Sequence, residues 1–261
     1  MGIAEYRASP NEQRRTRDLL SLTPLRGMTA LDIGARDGHF SLLLAERFCE
    51  VIALDLRKPA IVHPRVVCVQ GNVAHLDFAD NSIEFVFCAE VLEHIPPTIL
   101  TTVCRELERV CKSELLIGVP YKQDLRVGRS TCYSCGGKNP PWGHVNSFDE
   151  HRLRRLFQKC VVKSTTFVGE TSDATNALSM VLMDLAGNPY GTYFQEEPCI
   201  HCGRPLTPPP DRTLNQKLLT KCGSIALRAS SVFARPRGNW MHMLFAKQGG
   251  DKSTENVSSS L

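Results

Sequence analysis

Thr29-Ala30-Leu31-Asp32-Ile33-Gly34-Ala35-Arg36-Asp37-Gly38 is the stretch that decides the fold. An apolar run that ends in an acid and passes through two glycines into a helical pattern reads as a strand, a tight turn and a helix start. Glycine at such a turn lets a ligand approach the backbone. Phe40, Leu43, Leu44 and Phe48 then recur at helical spacing, and residues 51–55 read as a second strand that ends in Asp55. In a doubly wound sheet, an acid about 20 residues beyond the first turn sits against ribose hydroxyls. The dinucleotide fingerprint G-x-G-x-x-G is incomplete, with Gly34, Arg36 and His39 in its three places, which argues against a nicotinamide dehydrogenase.

Outward from this stretch, strand-like and helix-like pieces alternate, the pattern of a parallel sheet covered by helices. Residues 66–70, 83–88 and 115–119 read as strands three to five, and Leu100, Val103, Cys104, Leu107, Val110 and Cys111 as one apolar helix face. Ser147 and Glu150 have capping-box spacing ahead of a short helix. Residues 161–168 and 240–246 complete seven strands. Between those two strands lies an insertion with a helix near 176–185, a Pro-rich turn at 208–210, and a helix over about 214–233 capped by Thr213 and Gln216. The expected division is a core of 1–168 and 240–248, a cap from insertions 127–146 and 169–239, and a disordered Ser-rich tail at 249–261.

The segment 19–167 resembles the class I (Rossmann-like) S-adenosylmethionine-dependent methyltransferases, and is similar to the group that includes the ubiquinone and menaquinone biosynthesis enzymes. Leu31-Asp32-Ile33-Gly34 with Gly38 looks like their first motif, Asp55 like their ribose-binding acid, and Gly71-Asn72-Val73 like the turn beside adenine. Asp80-Asn81-Ser82-Ile83-Glu84-Phe85-Val86 and Ala89-Glu90-Val91-Leu92-Glu93-His94 resemble the fourth strand's approach and exit. The resemblance implies a Rossmann-like α/β fold with a seven-stranded sheet, S-adenosyl-L-methionine as cofactor, and cofactor contacts from Asp32, Gly34, Ala35, Arg36, Gly38, Asp55, Leu56, Asn72, Val73, Ala89 and Glu90. Two residues depart from the family pattern: Arg36 stands in place of the turn's middle glycine and Asn72 in place of an acid.

Cys132-Tyr133-Ser134-Cys135-Gly136 and Cys199-Ile200-His201-Cys202-Gly203 are two C-x-x-C-G knuckles. Each supplies two thiolates from one turn, and together Cys132, Cys135, Cys199 and Cys202 make the closed four-ligand set of a structural zinc. The other seven of the eleven cysteines, Cys49, Cys68, Cys88, Cys104, Cys111, Cys160 and Cys222, lie in periodic apolar segments and are expected as small core residues. This usage points to a reducing compartment, and with no apolar run long enough for a membrane span the expected location is cytoplasmic.

For chemistry, Glu93 and His94 after the fourth strand and His144 in Trp142-Gly143-His144-Val145-Asn146-Ser147-Phe148 are the candidate bases, with Glu90 beside them. Tyr121 and Arg126 are further residues that could face substrate. A net charge of +4 is too modest to announce a nucleic-acid binder. The late helix carries Leu214, Leu218, Cys222, Ile225 and Ala229 on one side and Lys217, Lys221 and Arg228 on another, which allows a peripheral membrane contact. The leading expectation is methylation of a small metabolite, at oxygen. An RNA or protein methyltransferase, or a non-catalytic zinc-stabilised binding protein, are the alternatives.

Overall fold

The computed structural model describes residues 3–231 and 235–248. Its strands are β1 (Gly27–Ile33), β2 (Phe48–Asp55), β3 (Val66–Gln70), β4 (Ile83–Ala89), β5 (Cys111–Pro120), β6 (Ser130–Thr131), β7 (Lys138–Asn139), β8 (Cys160–Val168) and β9 (Trp240–Lys247). Its helices are α1 (Ile3–Ala8), α2 (Pro10–Leu22), α3 (His39–Ala45), α4 (Leu100–Val110), α5 (Glu150–Leu156), α6 (Ala177–Leu185) and α7 (Leu214–Ser231). Seven strands form one sheet in the order β3-β2-β1-β4-β5-β9-β8, and β6 pairs with β7 as a separate hairpin. The first five strands of the sheet are parallel, while β9 runs antiparallel to both of its neighbours.

The central strands are apolar on both faces because both faces are covered. Leu31, Ile33, Val86, Cys88, Leu115 and Ile117 pack with the Leu100, Val103, Cys104 and Leu107 face of α4. On the other face, Ala30, Phe85, Phe87 and Leu116 meet Phe40 and Leu44 of α3 and Leu19 of α2. The seven expected strands are all present. Phe48 and Cys111, however, open β2 and β5 instead of closing the preceding helices. The cap of α5 is Asp149, whose side chain accepts from the Arg152 amide at 2.7 Å, and not Ser147, whose carbonyl accepts from the Arg152 guanidinium. Thr213 and Gln216 do cap α7, each accepting from the other's backbone amide. Of the expected core cysteines, Cys88, Cys104, Cys111 and Cys160 are buried and Cys68 is half-buried. Cys49 and Cys222 are exposed, because each stands on an outward position of its strand or helix. The expected tail and Phe233 lie outside the described residues.

An N-terminal helix pair, unread in the sequence, closes over the sheet. Ser9 accepts from the Glu12 amide and Pro10 fills the first turn of α2, where a missing N–H costs nothing. Glu12 receives two hydrogen bonds from Arg15, at 2.7 and 2.8 Å, and a third from Arg7, which also reaches Asp37 of the glycine turn at 3.0 Å. Burial by itself would raise the Glu12 carboxyl; the two guanidiniums hold it below its ordinary value. On the far side Asp18 accepts from Thr166 and pairs with His242 at 2.6 Å. A buried charge stripped of its main partner is costly, so Glu12→Ala should lower stability by about 3 kcal/mol. Urea unfolding checks this, and a change under about 0.5 kcal/mol would mean that Arg15 is held by other groups.

Candidate functional site

The carboxyl ends of β1 and β4 lie side by side, with Ile33 paired to Cys88. From the first rises the glycine turn, where Gly34 and Gly38 have φ of 74° and 79° and Arg36 has φ of 42°. A Cβ on Gly34 would stand 2.6 Å from Val91, so at that position space demands glycine as well as conformation. The positive φ at Arg36 is one that glycine adopts freely. Arginine is accommodated there with its side chain outward, 3.0 Å from Glu196. Asp55, at the end of β2, accepts from the Arg36 amide at 3.1 Å and the Arg57 amide at 3.2 Å, so it faces the turn. Asp32 is buried below the turn and accepts from Ser41 at 2.6 Å; burial, against the Ser41 hydrogen bond, raises its carboxyl to about 7. Asn72 accepts from the Ala74 amide at 2.9 Å, next to the buried Val73, and Leu56 is exposed beside Asp55. Ala35 is buried within the turn.

From the second strand end rises the segment Ala89 to His94. Glu90 is held at φ 59° by its amide's bond to the Gly118 carbonyl, and its carboxylate lies 3.5 Å from Arg15. Glu93 is buried and neither of its carboxylate oxygens finds a hydrogen-bond partner among the described residues, while its backbone carbonyl accepts from the Val145 and Asn146 amides. Those bonds bring in His144, whose ring meets that of His94 edge-to-face at 4.7 Å. Burial and the Glu90 charge push the Glu93 carboxyl well above the carboxylate range. Burial pulls His94 down to about 4, aided by the charge of Arg36, and His144 down to about 3, aided by His94. One ligand atom from each of Glu93, His94 and His144 lies within 4.8 Å of the others.

His144 Nδ1 is 2.6 Å from Gln123 Oε1, an acceptor, so Nδ1 carries the hydrogen and Nε2 keeps its lone pair. Gln123, which orients the histidine, carries no signal in the sequence. Nor do Arg15 and His242, whose charges act on Glu90 from elements far away in the chain. Tyr121 donates to Glu150 at 3.0 Å, and Arg126 is engaged by Asp124 and the Thr175 carbonyl, so both are spent on holding loops.

The four knuckle thiols converge. Cys132 Sγ is 3.7 Å from Cys202 Sγ and Cys135 Sγ is 3.7 Å from Cys199 Sγ. Thiolates around a tetrahedral zinc, with Zn–S bonds of about 2.3 Å, stand about 3.8 Å apart. The Gly137 and His201 amides each donate to a cysteine sulfur at 3.4 Å. Gly136 and Gly203 have φ of 76° and 70° with open space around them, so the turn itself requires glycine. The chemistry of the donor set, the spacing and the N–H···S bonds all fit zinc.

Residues 31–116 match the family model of a methyltransferase domain. Over 108 residues the chain is 31% identical to a Mycobacterium tuberculosis protein named as a probable S-adenosylmethionine-dependent methyltransferase, a match spanning 39% of each chain. The chain thus covers about two fifths of that relative's length. It is also 35% identical over 88 residues to the biotin biosynthesis bifunctional protein of Cellvibrio japonicus, covering 31% of this chain and 17% of that one. Among solved structures, a Bacillus halodurans chain described as a methyltransferase superposes with a TM-score of 0.56 at 14% identity, covering 88% of this chain and 97% of the other. The YcgJ protein of Bacillus subtilis gives 0.52 at 14% identity, covering 91% and 99%. These likenesses, with the strand order already described, place the chain in the class I methyltransferase fold, with a methyltransferase domain over residues 31–116.

Proposed function

We propose that this chain is an enzyme that transfers a methyl group from S-adenosylmethionine to an oxygen of a small metabolite. The observation that carries the reading is the juxtaposition at one sheet edge of the glycine turn with Asp55, and of the neutral imidazoles His94 and His144. When bound, S-adenosylmethionine supplies an electrophilic sulfonium methyl. Asp55 accepts from the ribose hydroxyls, the backbone of Gly34, Ala35, Arg36 and Gly38 lines the methionine end above Asp32, and Ala89 and Glu90 border it. Leu56, Asn72 and Val73 flank the adenine. A hydroxyl nucleophile must lose its proton as it attacks, and the lone pair on His144 Nε2 is the base we assign to take it, with His94 and Glu93 beside it. Preference for oxygen follows from this base, since a neutral amine would attack without one. A sugar, a quinone-like ring or a lipid-linked precursor offers such a hydroxyl, and the basic helix α7 suits a lipid-borne acceptor. Titration calorimetry with S-adenosylhomocysteine tests the cofactor site. Asp55→Ala should weaken binding more than tenfold, since charged hydrogen bonds contribute about 1.5 to 3 kcal/mol each. Unchanged affinity would overturn the assignment.

The cap belongs to the same reading. Cys132, Cys135, Cys199 and Cys202 hold one structural zinc per chain, tying the loop after β5 to the segment before α7. The small apolar cluster of Cys132, Tyr193, Cys199 and Leu206 is too slight to order these loops by itself. Elemental analysis should find one zinc per chain. Cys132→Ser should lose the metal and most methyl transfer, leaving the sheet folded by circular dichroism; a metal-free wild-type protein or a fully active variant would refute this.

The depressed histidines also set a pH dependence. The folded values near 4 for His94 and 3 for His144 lie below the ordinary value, so the unfolded chain binds protons more readily. Their contribution to stability is full above the unfolded value of about 6.5 and is lost as pH falls toward the folded values. The melting temperature should therefore drop on acidification through that window, and His144→Gln should remove part of the drop. Parallel wild-type and variant curves would show that His144 is not held neutral.

A further inference from the structure

Helix α7 buries the wrong face for an ordinary amphipathic helix. Small and polar groups join it to α6: Ser179 Oγ donates to the Gly223 carbonyl at 2.9 Å and Asn176 Nδ2, at the cap of α6, to the Ala226 carbonyl at 2.9 Å, while Arg212, ahead of α7, donates to Thr220 at 3.1 Å. A Cβ on Gly223 would stand 3.3 Å from the Leu182 side chain, so glycine lets the helices close. The apolar stripe instead faces solvent, with Leu214 83%, Leu218 62% and Ile225 59% exposed. At about 100° per residue, these three and the exposed Cys222 and Ala229 fill an arc of about 80°. Lys217, Lys221 and Arg228 occupy the adjoining arc. α7 contains no acidic residue. A stable surface helix turns its apolar stripe inward, and a contiguous apolar stripe left outside marks a contact surface.

Beside the stripe lies a shallow concavity of about 310 Å³, lined among others by Tyr190, Arg212, Lys217, Lys221, Ile225 and Arg228. Its lining holds four cationic side chains and no carboxylate, a setting that suits phosphate oxygens. The α6–α7 hairpin is inserted between the end of β8 and the start of β9, where Trp240 pairs with Pro120 and Val168. That is the sheet edge from which the Glu90 to His94 segment rises. No helix among the described residues is long and apolar enough to cross a membrane, so any bilayer contact made by this hairpin lies at the surface.

We infer that α7 docks this chain on an anionic bilayer surface, with Leu214, Leu218 and Ile225 at the acyl boundary and Arg212, Lys217, Lys221 and Arg228 on lipid phosphates. A bilayer uses both stripes at once, since apolar side chains enter the interface while cations meet the negative surface. A second copy seated symmetrically would set the basic stripe against itself, and a nucleic acid would leave the leucines without a partner. The docking stands apart from methyl transfer; only its link to a lipid-borne acceptor rests on that reading.

Sedimentation of the full chain with vesicles, without cofactor, tests the inference. Vesicles of phosphatidylcholine with about one third phosphatidylglycerol should bind at least ~10-fold more tightly than phosphatidylcholine alone, and high salt should weaken the binding. The double variant Lys217→Glu, Lys221→Glu should lose that preference, and Leu214→Ser, Leu218→Ser should weaken binding to anionic vesicles, both retaining wild-type circular dichroism and affinity for S-adenosylhomocysteine. Equal binding to both vesicle types, no binding, or unchanged binding by either variant would overturn the proposal. A concentration-dependent dimer broken by Leu218→Asp, in a protein that ignores vesicles, would assign the face to self-association and equally overturn it. Failure of the methyl-transfer reading is read separately, by calorimetry.

Discussion

The pairing of β1 with β4 is the constraint on which the candidate site depends. These strands are neighbours in space yet separated in the chain by β2 and β3, because the order of the sheet reverses between them. Their connections leave in opposite directions and open a crevice at the carboxyl edge, the place where parallel α/β sheets bind ligands. The register Ile33 to Cys88 then sets Gly34 beside Ala89, and the turn and the Glu90 to His94 segment face one another as a consequence. No loop contact could bring them together as firmly, since both strands are buried on two faces and neither can slip without exposing its core residues.

The same burial fixes the electrostatics of the edge. Asp32, Glu90 and Glu93 are all raised by desolvation, and His94 and His144 are lowered by it, so each of these five groups shifts toward its neutral form. A cation brought against these carboxyls favours their ionised forms, and Coulomb attraction at such a low-dielectric edge is stronger than in water. The proposed cofactor carries a sulfonium, a charge of the sign that such an edge favours. Glu12 and Asp37 neutralise Arg7 and Arg15 at close range, which keeps the arginines of the N-terminal helices from cancelling that preference.

How much of this was legible in the sequence follows from the range of each interaction. The glycine turn, Asp55 and the cysteine knuckles are local patterns whose chemistry is set within a few residues, and they could be read directly. All seven strands could be read too, since a buried parallel strand is a short apolar run. Phe48 and Cys111 were misassigned because helix and strand meet there without a polar break, so periodicity runs through the boundary. The α2 helix was missed although Ser9, Pro10 and Glu12 spell a helix start, because attention to apolar spacing passes over a helix that buries Glu12 and Arg15. Gln123, Asp18 and His242 could not be found at all. Each acts on a partner that only the folded sheet brings near, the last two across more than two hundred residues of chain.

The late insertion shows the limit of amphipathic reading most clearly. Spacing alone correctly separates the leucine stripe of α7 from its lysine stripe, but it carries no information about which of them faces the protein. That choice was made by Gly223 and Ser179, whose small size and hydrogen bond allow α6 closer than leucines would. Close backbone approach gains dispersion contacts that larger side chains would hold apart. The apolar stripe was thereby left outside, next to cations that keep it in solution. The sheet, the knuckle cap and the helical hairpin thus rest on three different sources of order, which are apolar burial on two faces, convergent thiols, and small-residue helix contact.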